Sequence, residues 1–72
     1  MNITVNGESR LVKSKNQQNS LKEIITQIGY HPQLVVVELN GLIINPKDWE
    51  GTIIADGDNL EIVTIVGGGS YS

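Results

Sequence analysis

From Leu60 to Val66 the chain reads Leu-Glu-Ile-Val-Thr-Ile-Val, and three glycines follow at once, Gly67-Gly68-Gly69. A β-branched run of this kind makes a strand covered on at least one face. With Glu61 as the polar marker, Leu60, Ile62, Thr64 and Val66 point one way, and Val63 and Ile65 the other. Glycine has no side chain to pack and loses the most freedom on ordering, so the strand must end where the glycines begin. The acidic turn Asp56-Gly57-Asp58 fixes its start. The chain therefore divides into a body over residues 1–66 and a flexible glycine-rich arm over residues 67–72. Whatever the body becomes, it must hold a central strand with that arm leaving from its end.

Size narrows the choice. The chain has 72 residues, no cysteine and one histidine. A domain this small buries only about 60% of its unfolded surface, and the usual remedies are disulfides or a metal. Neither is available, so a compact aliphatic core or a partner must supply the stability. The lack of cysteine fits a reducing, cytoplasmic compartment. No stretch has the cationic-then-apolar pattern of a signal peptide or the length of a membrane span. The net charge is −3, with six of the eight acids in the second half. No basic face with interleaved aromatics suggests nucleic acid.

Taken in order, the chain opens on the alternating run Met1-Asn2-Ile3-Thr4-Val5 and then meets Asn6-Gly7, a strong hairpin signal. The second strand is expected over Glu8–Lys13. A loop of even length puts Val12 on the face of Ile3 and Val5 and leaves Leu11 outside. Ser14–Asn19 is polar and reads as a mobile loop. Ser20 and Glu23 have the spacing of a capping box, and Leu21, Ile24, Ile25 and Ile28 make one apolar helical stripe of about ten residues. Gly29 and Pro32 end that helix. Leu34–Asn40 is a third strand with Glu38 turned to solvent, and Asn40-Gly41 leads into a short strand, Leu42–Ile44. Asp48-Trp49-Glu50 is expected to form one helical turn, with Trp49 partly buried.

The order strand, strand, helix, strand, short strand, strand lets one helix cover one face of a mixed four- or five-stranded sheet. The long connection allows the first and last strands to pair in parallel at its centre. This α+β arrangement is the β-grasp, the fold of ubiquitin. The expected core is Ile3, Val5, Val12, Leu21, Ile24, Ile25, Ile28, Val35, Val37, Leu39, Ile44, Ile54, Leu60 and Ile62. Parity leaves Val36, Val63 and Ile65 on the face away from the helix, and an exposed apolar set on so small a domain points to a partner-binding surface.

Enzyme chemistry lacks its parts. His31 stands alone before Pro32. Asp56 and Asp58 have no further ligands at a calcium-loop spacing, so turn chemistry accounts for both and no metal site is expected. Gly67–Gly69 is no phosphate loop, since no lysine and no helix follow. What the glycines do offer is access: a backbone without side chains can thread a narrow channel and present a terminal carboxylate to another protein's active site.

The chain resembles the sulfur carriers of thiamine biosynthesis, the ThiS family, over essentially residues 1 to 69. The resemblance is carried by Asn6-Gly7-Glu8, Val37-Glu38-Leu39-Asn40-Gly41, Pro46 with Trp49, Asp56-Gly57-Asp58, Glu61-Ile62-Val63 and Val66-Gly67-Gly68-Gly69. It implies a non-catalytic carrier, monomeric when free, with no bound cofactor and no membrane or nucleic-acid partner. It also implies an E1-like adenylyltransferase (ThiF-like) that uses ATP and a sulfur donor to turn the terminal glycine into a thiocarboxylate. A thiazole synthase (ThiG-like) then receives the sulfur. The tail Gly67-Gly68-Gly69 would enter the partner, with Gly69, or Gly68, as the modified residue. This chain departs from the family's ending in Ser70-Tyr71-Ser72. Those residues must be removed before a glycine can be activated, unless they are an artefact of the gene or its expression, or the chain is no carrier. Two rival readings are a small subunit of molybdopterin synthase, which also ends in two glycines, and a binding module with an inert tail.

Overall fold

The computed structural model describes residues 1–13 and 19–65. The expected glycine arm, most of the expected Ser14–Asn19 loop and the boundary at residue 66 lie outside the described residues.

Strands β1 (Asn2–Val5) and β2 (Glu8–Leu11) are joined by Asn6 and Gly7, whose φ angles of 51° and 83° are both positive. A two-residue turn with positive φ at both positions matches the twist of the strands it joins, and Asn-Gly is the pair that adopts it most readily. The register Asn2↔Leu11 to Val5↔Glu8 follows. The even loop is therefore correct: Val12 is buried and Leu11 is 84% exposed. The second strand ends at Leu11 and not at Lys13. Val12 still extends the pairing, its N–H donating to the Met1 carbonyl at 2.9 Å.

Helix α1 spans Leu21–Gln27, seven residues where about ten were expected. The Ser20 hydroxyl caps it by accepting from the Glu23 N–H at 3.2 Å. At its other end Gly29 takes a φ of 98°. The Gly29 and Tyr30 N–H groups donate to the Thr26 and Ile25 carbonyls. This pair of bonds closes a helix through a left-handed residue, and it turns the chain one step before the apolar stripe ends. Asn19 is not part of an open loop: it is buried, and its carbonyl accepts from the Ile54 N–H at 2.8 Å. That bond and Leu21 N–H to the Thr52 carbonyl, 2.7 Å, tie the helix entrance to the segment before the last strand.

Strand β3 is Val35–Leu39, preceded by a 3₁₀ turn over Pro32–Leu34, so the strand begins one residue later than expected. Asn40 and Gly41 repeat the first hairpin's turn, with φ of 50° and 91°, and lead into β4, Leu42–Ile43. A second 3₁₀ turn covers Pro46–Gly51. It is longer than the expected turn over Asp48-Trp49-Glu50 and its cap is Asn45: the Asn45 side chain accepts from the Lys47 N–H, and Pro46 has no N–H to leave unpaired. Strand β5 is Asn59–Thr64. The sheet order is β2-β1-β5-β3-β4, with β1 and β5 parallel and the other pairs antiparallel. This is the β-grasp, with β5 at the centre.

Eleven of the fourteen expected core residues are buried. Ile28, Leu39 and Ile44 are only partly so. Each sits at the end of its element, beside the helix cap or the edge hairpin, where one side stays open. Trp49 is the residue the core list omits. It is 2% exposed, and its indole N–H donates to the Ile44 carbonyl at 3.0 Å, which satisfies its one polar atom in the interior. Among the described residues no helix is long and apolar enough to cross a membrane.

Candidate functional site

Both asparagines of the hairpin turns reach back to β5. Asn6 leaves the β1 ladder at its turn, but its side chain continues the pairing. Oδ1 accepts from the Ile62 N–H at 2.7 Å and Nδ2 donates to the Ile62 carbonyl at 3.1 Å. Asn40 does the same at the start of β5: its N–H donates to the Asn59 carbonyl, 2.8 Å, and its Oδ1 accepts from the Asn59 N–H, 2.9 Å. Its Nδ2 donates to Asp58. Asp58 closes its own turn, whereas Asp56 reaches across to β1. The Asp56 carboxylate accepts from the Asn2 N–H and the Asp58 carboxylate from the Ala55 N–H. These bonds hold β5 along its length and so fix where residue 65 leaves the body. The sequence announces the two turns; it does not announce that their amides are used twice.

The face of the sheet away from α1 is built in rows across β3 and β5. The Ile65 N–H donates to the Leu34 carbonyl, the next row is Val36↔Val63, and the next is Glu38↔Glu61. Ile43 of β4 lies opposite Glu38. Residues directly opposite in an antiparallel pair share a face. Val36, Val63 and Ile65 are 39%, 63% and 41% exposed, so all three expected partner-face residues are at the surface; Val36 and Val63 are direct partners there, whereas Ile65, one residue past the end of β5, also lines the cleft of Val35, Trp49 and Lys22 on the helix side. Leu34 and Ile43 join them, at 46% and 69%. Sequence pattern alone does not single out these two, because Leu34 stands at the start of the expected strand Leu34–Asn40 and Ile43 in the short expected strand Leu42–Ile44, where too few residues alternate to define a face. The signal that finds them is the register, fixed by Glu38 and Glu61 as the outward polar pair.

His31 is exposed. Among the described residues no three histidine, aspartate or glutamate side chains come together as a metal site. The glycine expected to be modified, Gly69 or Gly68, and the expected tail Gly67–Ser72 lie outside the described residues.

The ThiS family model matches residues 3–69. The chain belongs to the ThiS family. Membership places it, at the level of family, among the small sulfur carriers of thiamine biosynthesis, which are not enzymes. The solved crystal structure of the thiamine biosynthesis protein ThiS from Geobacter metallireducens is similar, with a TM-score of 0.78 and 31% identity over 96% of this chain and all of that one. The uncharacterized protein ycf40 of Trieres chinensis is 42% identical over 50 residues, 69% of this chain and 68% of that protein. A thiazole synthase from Paramagnetospirillum magneticum is 31% identical over 70 residues, which is 97% of this chain but 21% of that protein. The family match stops at the last of the three glycines, so Ser70, Tyr71 and Ser72 of this ThiS-family chain lie beyond it.

Proposed function

We propose that this chain carries sulfur for thiazole formation on a C-terminal glycine, Gly69 or Gly68, exposed by removal of Ser70-Tyr71-Ser72. The observation that supports this most directly is the family match running up to the glycines and no further. The chemistry needs little from the carrier itself. A glycine carboxylate oxygen attacks the α-phosphate of ATP and pyrophosphate leaves, giving an acyl-adenylate. Hydrosulfide supplied by the sulfur donor then attacks the acyl carbon, AMP departs with the former carboxylate oxygen, and loss of the proton on sulfur leaves a thiocarboxylate. Activation of an acyl group before transfer is the logic of covalent catalysis, performed here in the partner's active site. The carrier contributes a tail without side chains and a docking surface. ATP and the sulfur donor belong to the E1-like adenylyltransferase, and a thiazole synthase takes the sulfur. The likeness to a thiazole synthase supports the thiamine pathway over a molybdopterin-synthase subunit.

Mass spectrometry of the protein from its native cell tests the chemistry. The expected species ends at Gly69 or Gly68 and is about 16 Da heavier than that carboxylate form, one oxygen having been exchanged for sulfur through an activated acyl group. A uniform chain ending in Ser72 during active thiamine synthesis refutes the reading. The docking surface has its own test. Val63→Asp places a charge in the exposed apolar set and should weaken binding to the adenylyltransferase while leaving the fold intact. Normal binding by that variant would move the interface to another face.

A further inference from the structure

The central rows of the outer sheet face hold an arrangement that folding alone does not favour. Glu38 and Glu61 are direct partners across β3 and β5. Like charges at directly opposed positions repel one another. Among the described residues neither carboxylate has a cation within ion-pair distance; the ion pair there is Lys22–Glu50, between the helix and the second 3₁₀ turn. Next to the two glutamates lie Val36 and Val63, then Leu34 and Ile65 at the chain's exit, and Ile43 flanks Glu38 on the other side. A protein that covers the apolar rows must also cover the carboxylates. Removing two carboxylates from water without a counter-charge is costly, so such a partner has to bring one.

We propose that Glu38 and Glu61 receive a basic side chain, arginine in preference to lysine, from the adenylating partner's docking surface. This rests on the carrier reading above for the partner's identity; the charge requirement comes from the sheet register. Arginine fits because its planar guanidinium presents donors in several directions and can bridge two carboxylates, whereas a lysine ammonium acts as a point charge. A second copy of this chain does not meet the requirement. The outward positions of the strands are Asn2, Thr4, Ser9, Leu11, Val36, Glu38, Ile43, Asn59, Glu61 and Val63, and none is Lys or Arg. Face-to-face pairing of two copies would bring four carboxylates together.

Glu38→Gln, Glu61→Gln and the double variant, made in the full chain, test the proposal by calorimetric titration with the purified E1-like adenylyltransferase of the same cell at low and high salt. The double variant should bind roughly tenfold more weakly at low salt and lose most of its salt dependence, since charges at an interface act through steering and complementarity. Its melting temperature should be unchanged or higher, because the repulsion in the free protein is gone. A merely structural role would lower the melting temperature instead. Unchanged affinity and salt dependence in the double variant, with Val63→Asp still weakened, overturns the glutamate assignment and leaves the carrier reading standing. Wild-type protein that fails to bind the enzyme at all overturns both the assignment and its partner. Self-association of the wild type that tightens in the glutamine variants overturns it in favour of a homodimer face. The thiocarboxylate measurement is independent of all three results, so a failure of the carrier reading is recognised separately.

Discussion

Strand β5 presents nearly the same residue types to its two sides, with opposite outcomes. Ile62 is 5% exposed against the helix, while its neighbour Val63 is 63% exposed on the outer face. The inner side is closed by α1 and by Trp49; the outer side has no covering layer among the described residues. Strand preference for a β-branched residue largely measures how its face packs. Its burial is decided by the layer above it. The apolar outer face is the one that the proposed docking of a partner would use, and it lies beside residue 65, the last described residue before the glycines.

The largest effect that sharpens this contrast comes from truncation on each side. Ile24 is fully buried. Ile24→Ala should cost about 2–5 kcal/mol, from lost transfer free energy and the cavity left behind. Val63→Ala on the outer face should change stability by no more than about 0.5 kcal/mol. Thermal or urea unfolding of the two variants checks the pair. Comparable losses would mean that the outer face is covered in the folded protein, and the docking argument would fail with it.

A smaller effect separates the turn from the clamp at Asn6. Asn6→Gly keeps the positive φ but deletes both bonds to Ile62, and should cost about 1–3 kcal/mol for the partly buried Ile62 groups left unpaired. Asn6→Ala loses the same bonds and adds the left-handed backbone penalty of about 1–2 kcal/mol. Hydrogen exchange at the Ile62 amide should speed up in both. If Asn6→Gly is neutral and the amide stays protected, Asn6 serves the turn alone, and the end of β5 is fixed by β3.

These residues also show how far the sequence could be read. The inner face was legible because periodicity and burial agree there: Leu21, Ile24 and Ile25 repeat at helical spacing, and Val35 and Val37 alternate. Boundaries were less so. The end of the helix at Gly29 was legible from the glycine itself, and the Gly29 and Tyr30 N–H groups close it there; its length was not, since seven residues stand where about ten are expected. Trp49 was underestimated because a 3₁₀ turn has too few residues to show a face. The outer apolar trio followed from parity. The row Glu38↔Glu61 and the addition of Leu34 and Ile43 needed the register, which is set by both hairpins and the β3–β5 pairing together. The double use of Asn6 and Asn40 is a contact between residues 56 and 19 positions apart, beyond the reach of local pattern.

The smallest effect concerns the charges on the two sides. Lys22 and Glu50 join the helix to the second 3₁₀ turn at 3.1 Å, but their side chains are 52% and 77% exposed. Water screens such a pair, and ordering two long side chains offsets part of the attraction, so a double-mutant cycle with Lys22→Ala and Glu50→Ala should give a coupling of about 0.5 kcal/mol or less. Molar salt should remove it. On the outer face the sign reverses. Glu61→Gln should stabilise the free protein, by about 0.2–1 kcal/mol, because it relieves a directly opposed pair, and that gain too should shrink in salt. Opposite signs in the two variants would place the favourable charge contact on the side that holds the fold together and the unfavourable one on the side left for a partner. A loss of stability in Glu61→Gln would show that the outer carboxylates are already satisfied within the chain, and the need for an arriving cation would disappear; a Lys22–Glu50 coupling well above about 1 kcal/mol would show only that this helix-side pair is less screened by water than its exposure suggests.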